Sequence, residues 1–361
     1  MKKIVALVMA LALVLVAVPG FAAMTEITYC VPRTVENLED SPFHIAQRLL
    51  AEQGITMNIQ ETFGTTDTKM VATNQAQFCG PGPFYVLSAV AEGLPIKAVC
   101  AYDAINIWGM AVTSDSPIKS FEDMIGAQEK YGHKLTVALG DPSWEMLVTP
   151  TLVAAGVDVA NDLEFVVAGE NRYVQVAEKK LDMLFTWPGE CWQLIGQNYD
   201  FVYIDGHEVL KTSSNPLVTS NYMIENEPET VRAFVEAMQQ AIYAVRYNPE
   251  AAAAIMADDY PNIEVTWKAA KFIQEGRVYQ MFGKAGSDTE AQILACVGKH
   301  SEEGWKLNMQ AALESGTITK ELDLADVYTN EFVNENMDYS KVEAFMDSID
   351  VATVSSRYAA E

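Results

Sequence analysis

Positive charge is scarce in this chain: 24 lysines and arginines stand against 49 aspartates and glutamates, a formal net charge of -25 at pH 7. So acidic a surface excludes nucleic acid and an anionic membrane face as partners. It says little about a small ligand, because a cleft can carry a field opposite to the bulk. Histidine is rare too. His44, His133, His207 and His300 stand alone, and neither H-E-x-x-H nor G-x-S-x-G occurs. Catalysis therefore has little support, surface positions are expected for all four histidines, and no metal or cofactor is expected. The five cysteines, Cys30, Cys79, Cys100, Cys191 and Cys296, form no C-x-x-C and no metal-like spacing. Buried free thiols are the simplest reading, with a Cys30–Cys79 bridge as the alternative. Repeats, low-complexity tracts and long linkers are absent, and beyond the opening residues no run is apolar enough to span a bilayer.

What is present begins with Lys2 and Lys3, an apolar run from Ile4 to Val18, a break at Pro19 and Gly20, and small residues at Ala22 and Ala23. That is the layout of a cleaved secretory signal over residues 1–23, and the run is short for a membrane span of about 20 residues. The expectation is a soluble, exported remainder. With 50% hydrophobic and 20% charged residues it is a folded globule rather than a disordered chain. Its length suggests two lobes rather than one core.

Hydrophobic periodicity alternates between strand and helix. Strands are predicted at Glu26–Val31, Ile55–Glu61, Gln77–Cys79 and Lys97–Ala101, separated by helices over Pro42–Gln53, Thr66–Asn74 and Pro83–Ala91. A second block predicts strands at Lys134–Leu139, Leu163–Ala168, Met183–Thr186 and Phe201–Ile204, with helices at Ser143–Ala155, Arg172–Glu178 and Trp187–Gly196. Single helices between strands imply βαβ units and mostly parallel sheets. From Pro228 onward the pattern is helical, including one continuous helix over Thr289–Ser315. The expected organisation is a discontinuous lobe I, residues 24–114 and 218–361, interrupted by lobe II, residues 115–217. The chain would cross near Met110–Ser114 and Thr219–Tyr222.

Five stretches resemble a known family in order along the chain. Ser41–Gly54 (SPFHIAQRLLAEQG) is similar to its opening helix, and Gly64–Gly80 with Gly82–Tyr102, ending EGLPIKAVCAY, to its helix, short strand, helix and next strand. Ser116–Gly126 (SPIKSFEDMIG) resembles the entry to the second lobe, and Leu181–Glu190 (LDMLFTWPGE) the strand and aromatic turn facing the ligand. The family is that of the substrate-binding proteins of ATP-driven (ABC) importers, in the NMT1/THI5-like branch related to thiamine-pyrimidine-precursor, sulfonate, taurine and nitrate binders. The resemblance implies a type II periplasmic-binding-protein fold: α/β, two lobes with a hinge, and a C-terminal helical extension. It implies a monomeric periplasmic protein that closes on a small organic ligand, heterocyclic or sulfonate-type, and docks on a membrane permease. A ligand sensor presenting its closed form to a receptor is the alternative. A related eukaryotic branch is a pyrimidine synthase carrying CCCFC, a motif this chain lacks, which argues against an enzyme.

Ligands of open α/β sheets bind beyond the carboxyl ends of the strands, which selects the loops that follow them. Arg33 after the first strand would pair an anion, or serve as an ordinary surface arginine. Phe63, Thr65 and Thr66 (within FGTTD) would hold an anion or a ring, or simply cap the next helix. Pro83 and Phe84, after Gly80-Pro-Gly82, let backbone approach a ligand, though a stiff turn explains them equally well. No dinucleotide fingerprint is present, because Tyr85 stands where the third glycine belongs. Trp187 and Glu190 offer a stacking face and an acceptor three residues apart, or a core tryptophan and a charge at a helix start. Trp108, Trp144 and Tyr173 would supply a second stacking wall.

Overall fold

Two five-stranded sheets organise the described residues of this computed structural model, which are 23–31, 38–62, 65–262 and 265–358. Apart from Ala23, the expected secretory signal lies outside them. The strands are β1 (Glu26–Val31), β2 (Thr56–Glu61), β3 (Phe78–Cys79), β4 (Ile96–Ala101), β5 (Gly109–Thr113), β6 (Leu135–Leu139), β7 (Leu163–Val167), β8 (Met183–Thr186), β9 (Phe201–Ile204) and β10 (Pro216–Ser220). The first sheet runs β2-β1-β3-β10-β4 and the second β7-β6-β8-β5-β9.

The two sheets repeat one plan. In each, four strands run the same way and one, β10 or β5, is inserted antiparallel between its neighbours. The inserted strand is always the first one reached after the chain crosses over. This corrects two expectations. The sheets are mixed, since a strand entering directly from the other sheet has no preceding βα unit to reverse its direction. Strand β5, assigned from sequence to the first lobe, pairs instead with β8 and β9, and Pro216 and Leu217, assigned to the second, pair with β4. The crossings are therefore residues 102–108 and 205–215. The first is largely buried, with Ile105, Ile107 and Trp108 in a cluster that also holds Ile96, Val218, Val137 and Phe185; the second is mostly polar, with Glu208 and Lys211 exposed.

The helix Pro228–Tyr247 shows why the C-terminal third is helical. Val231, Phe234, Val235, Met238, Ile242 and Val245 recur at three- and four-residue spacing and all are buried. Its stripe lies on the first sheet, where Phe234 stacks on Phe78 with centroids 3.8 Å apart. The expected single helix over Thr289–Ser315 is two, Asp288–Ala295 and Glu302–Glu314. Gly298, at a φ of +85°, breaks it, and Ser301 caps the second piece by accepting from the Gly304 N–H. Two histidines expected on the surface are interior. His44 bonds Asp259 at 2.7 Å, and His300 packs between Trp305 and Tyr328, where burial pushes its pKa down to about 3. All five cysteines are free, with Cys30 and Cys79 in register across β1 and β3.

One helix pair ties the two sheets' layers together. The helix Pro188–Gly196, which follows β8 of the second sheet, lies against Trp267–Phe282 from the C-terminal third. Small residues make the contact. A Cβ on Gly276 would fall 2.8 Å from both the Gly189 Cα and the Pro188 carbonyl oxygen, and one on Gly196 2.7 Å from the Ala269 Cα. Trp192 stacks on Tyr279 across this contact at 5.8 Å. Gly276→Leu should therefore force the helices apart and cost about 1–3 kcal/mol, read as a lower urea midpoint.

A second expectation concerns Asp67, at the start of the helix Thr66–Ala72. It is 1% exposed, one carboxylate oxygen accepts from the Thr68 N–H at 2.6 Å, and burial raises its pKa to about 7. Because the folded pKa lies above the ordinary 3.8, the native state holds this proton more tightly. The wild type should lose stability as pH rises from about 4 through 7. Asp67→Asn should remove that loss, so the variant should gain on the wild type in urea unfolding at pH 8 and lose the advantage at pH 5.

Candidate ligand-binding cleft

A cavity of about 320 Å³ opens between the sheets, beyond the carboxyl ends of their inner strands. This is where open α/β sheets take ligands. Glu39, Gly80–Gly82 and Tyr85 follow β1 and β3 on one side. Gly140–Trp144, Arg172, Trp187 and Glu190 follow β6, β7 and β8 on the other. Trp108 and Asn215, from the two crossings, complete the lining with Arg277 of the Trp267–Phe282 helix.

The walls are aromatic. Trp187 meets Trp144 and Trp108 edge to face, with centroids 5.7 and 6.4 Å apart and planes at 78° and 82°. Phe185 lies behind both, at 5.7 Å from Trp108 and 5.9 Å from Trp144. The Arg172 guanidinium sits 5.1 Å over the Trp144 ring, a cation–π contact worth about 0.5–2 kcal/mol.

The charges in the cleft are already engaged. Arg172 pairs with Glu190 and also donates to the Gly169 carbonyl at 3.2 Å. Glu190 accepts from the Thr186 hydroxyl at 2.6 Å. Burial raises the Glu190 pKa against the lowering pull of Arg172. Arg277 is committed to Asp103 at 2.7 Å, with both side chains almost fully buried, and lies over the Tyr102 ring. Glu39, 3% exposed, accepts from Trp187 Nε1 at 2.9 and 2.8 Å and from Gln280 Nε2 at 3.0 Å. A Cβ on Gly189 would collide with that carboxylate, so glycine is what lets Glu39 rest on the start of the Pro188–Gly196 helix, where the helix dipole favours a negative charge. Across the cleft, Tyr85 donates to the Ser143 carbonyl at 2.7 Å.

Of the residues selected from sequence, Trp108, Trp144, Trp187 and Glu190 are brought together here. The others are placed elsewhere or not described. Arg33 and Phe63 lie outside the described residues. Thr65 and Thr66 follow β2, the edge strand of its sheet, and do not line the cavity. Pro83 and Phe84 are buried in the core, because the helix that starts there turns the next residue, Tyr85, to the cleft instead. Tyr173 packs edge-on against Tyr199, behind the second sheet. Glu39, Arg172, Asn215 and Arg277 were not selected. Their partners are far away in sequence, and no local spacing announces them.

The NMT1/THI5-like family model matches residues 45–252, more than half of the chain. The chain belongs to the NMT1/THI5-like family. A relative, the riboflavin-binding protein RibY of Chloroflexus aurantiacus, is 22% identical over 312 residues, covering 83% of this chain and 84% of RibY. The periplasmic aliphatic sulphonate-binding protein SsuA of Escherichia coli superposes with a TM-score of 0.58 at 14% identity, over 83% of this chain and 90% of that one. The desulfurization enzyme DSZB gives 0.53 at 16% identity, over 85% and 97%. At such identities the structures establish the fold, which is the two-lobed α/β fold of the periplasmic binding proteins, and the family's neighbours include both binders and an enzyme. Among the described residues no helix is long and apolar enough to cross a membrane.

The ion pair beneath the aromatic wall gives a direct test. Arg172→Leu leaves Glu190 enclosed without its cation and should cost about 3–5 kcal/mol. The double variant with Glu190→Gln should recover much of that loss, measured as a double-mutant cycle in urea.

Proposed function

We infer that this chain is the extracytoplasmic solute-binding component of an ABC importer, and that it captures a planar, nitrogen-bearing heteroaromatic molecule in the cleft. In this reading it is a periplasmic monomer. The lobes rotate about the crossings 102–108 and 205–215, close over the ligand, and offer the closed form to a membrane permease. The family, the fold and the riboflavin-binding relative support the class of protein.

One observation carries the choice of ligand: three tryptophans and a phenylalanine wall a cleft whose two guanidiniums are both already bound to carboxylates. A sulfonate would have to share a guanidinium whose charge Glu190 or Asp103 already neutralises. It would also face Glu39, Asp141, Glu170 and Glu190, which outnumber Arg172 and Arg277 in the lining. A neutral ring stacks on indole without that penalty. Binding rather than catalysis fits the same lining, which contains neither cysteine nor histidine among the described residues. The Cys30 thiol is interior, and burial raises its pKa to about 11.

Riboflavin, lumazine, taurine and methanesulfonate, each supplied at a hundredfold excess over a micromolar Kd, would separate the classes. A fitting heterocycle should raise the melting temperature by about 5 °C and quench tryptophan emission, while the sulfonates leave both unchanged. A shift with the sulfonates alone would reverse the assignment.

A further inference from the structure

Most polar atoms lining the cleft are matched to one another, which makes the exceptions informative. Trp108 Nε1, Asn215 Oδ1 and Arg172 Nε are closed off from water and have no hydrogen-bond partner among the described residues; the arginine already has its carboxylate in Glu190, whereas the first two have nothing. Native structures seldom leave such groups unpaired, because each forfeits its hydration with no return. Both residues stand against Gly82. A Cβ on Gly82 would sit 3.6 Å from Trp108 Cζ2, two bonds from the indole nitrogen, and 3.8 Å from Asn215 Oδ1. The atom nearest such a Cβ is Leu147 Cδ2, so glycine at that position makes room for the Leu147 side chain beside both groups. One group is a donor only, the other an acceptor.

We propose that Trp108 and Asn215 together read a cyclic amide edge of the ligand: a ring carbonyl accepts from Trp108 Nε1, and the adjacent ring N–H donates to Asn215 Oδ1. This rests on the cleft being a heteroaromatic site and narrows its ligand to lactams, imides and ureides. Aminopyrimidine edges, which place amino groups where the carbonyls stand, are disfavoured. Position explains how a ligand reaches atoms that water does not. Trp108 ends the first crossing and Asn215 the second, so both belong to the segments that bend when the lobes part. The open form uncovers them, and closure seals them onto the ligand. The same lobe rotation then both admits and checks the ring.

Calorimetry with lumazine and 2,4-diaminopteridine tests the assignment, since the two share one ring system with opposite hydrogen-bonding edges. Lumazine should bind and the diamino compound should bind at least about tenfold more weakly. Trp108→Phe and Asn215→Leu should each weaken lumazine by about tenfold relative to 2,4-diaminopteridine, a difference that lost packing alone would not produce. Asn215→Asp, which keeps an acceptor, should retain lumazine binding. Should Asn215→Leu unfold, Trp108→Phe, which keeps an aromatic ring in place, carries the same comparison. Diaminopteridine binding as tightly as lumazine, or lumazine binding indifferent to both substitutions, overturns the edge assignment and leaves the heteroaromatic cleft standing. If riboflavin, lumazine and diaminopteridine all fail to bind, the cleft reading falls and this assignment with it.

Discussion

A carboxylate withdrawn from water must be supplied with donors, and Glu39 draws them from stretches far apart in the chain. The Trp187 indole comes from the second sheet's side of the cleft and the Gln280 amide from the C-terminal third. Much of the local architecture follows from that one demand. Trp187 is held at an angle to Trp108 and Trp144 because its N–H is anchored. Position 189 must be glycine to admit the carboxylate. The helix that begins there must lie close to the helix carrying Gln280, which glycine at 276 permits. A polar constraint thus sets the shape of an aromatic site.

Periodicity made most elements of this fold legible before any coordinates. The amphipathic helix at 228–247 and the strands at 26–31, 183–186 and 201–204 lie where the apolar pattern placed them. Interactions between distant segments did not announce themselves. Whether 109–113 pairs with β4 or β9 is a property of the crossing, not of its five residues. The break at Gly298 was hidden because the apolar spacing continues on both sides of it. In the cleft, Trp187 and Glu190 could be found because they share one turn, and Trp108 and Trp144 because they follow strands. Choosing Phe84 over Tyr85 was an error of one helical step. Arg172 looks like any surface arginine until Glu190 and Trp144 are seen around it.

A shared fold here accompanies different chemistry, as folds commonly allow. SsuA, named for sulphonates, and RibY, named for riboflavin, both resemble this chain. Lobes and strand order therefore say where a ligand sits, and the side chains that remain unengaged say what it is. In this protein both guanidiniums are paired with carboxylates, and of the tryptophans in the cleft Trp187 spends its N–H on Glu39 while Trp108 does not spend its own.

The insertion of β10 between β3 and β4 has a consequence for how the molecule is made. Until residues 216–220 emerge from the ribosome, β3 and β4 have no strand to join them, so the first sheet waits in two pieces while the whole second sheet is synthesised. The later unit, spanning β5 to β9 without interruption, can assemble on its own and so finish before the earlier one. The leading half's long-range pairing is thus deferred until the rest of the polypeptide has followed it.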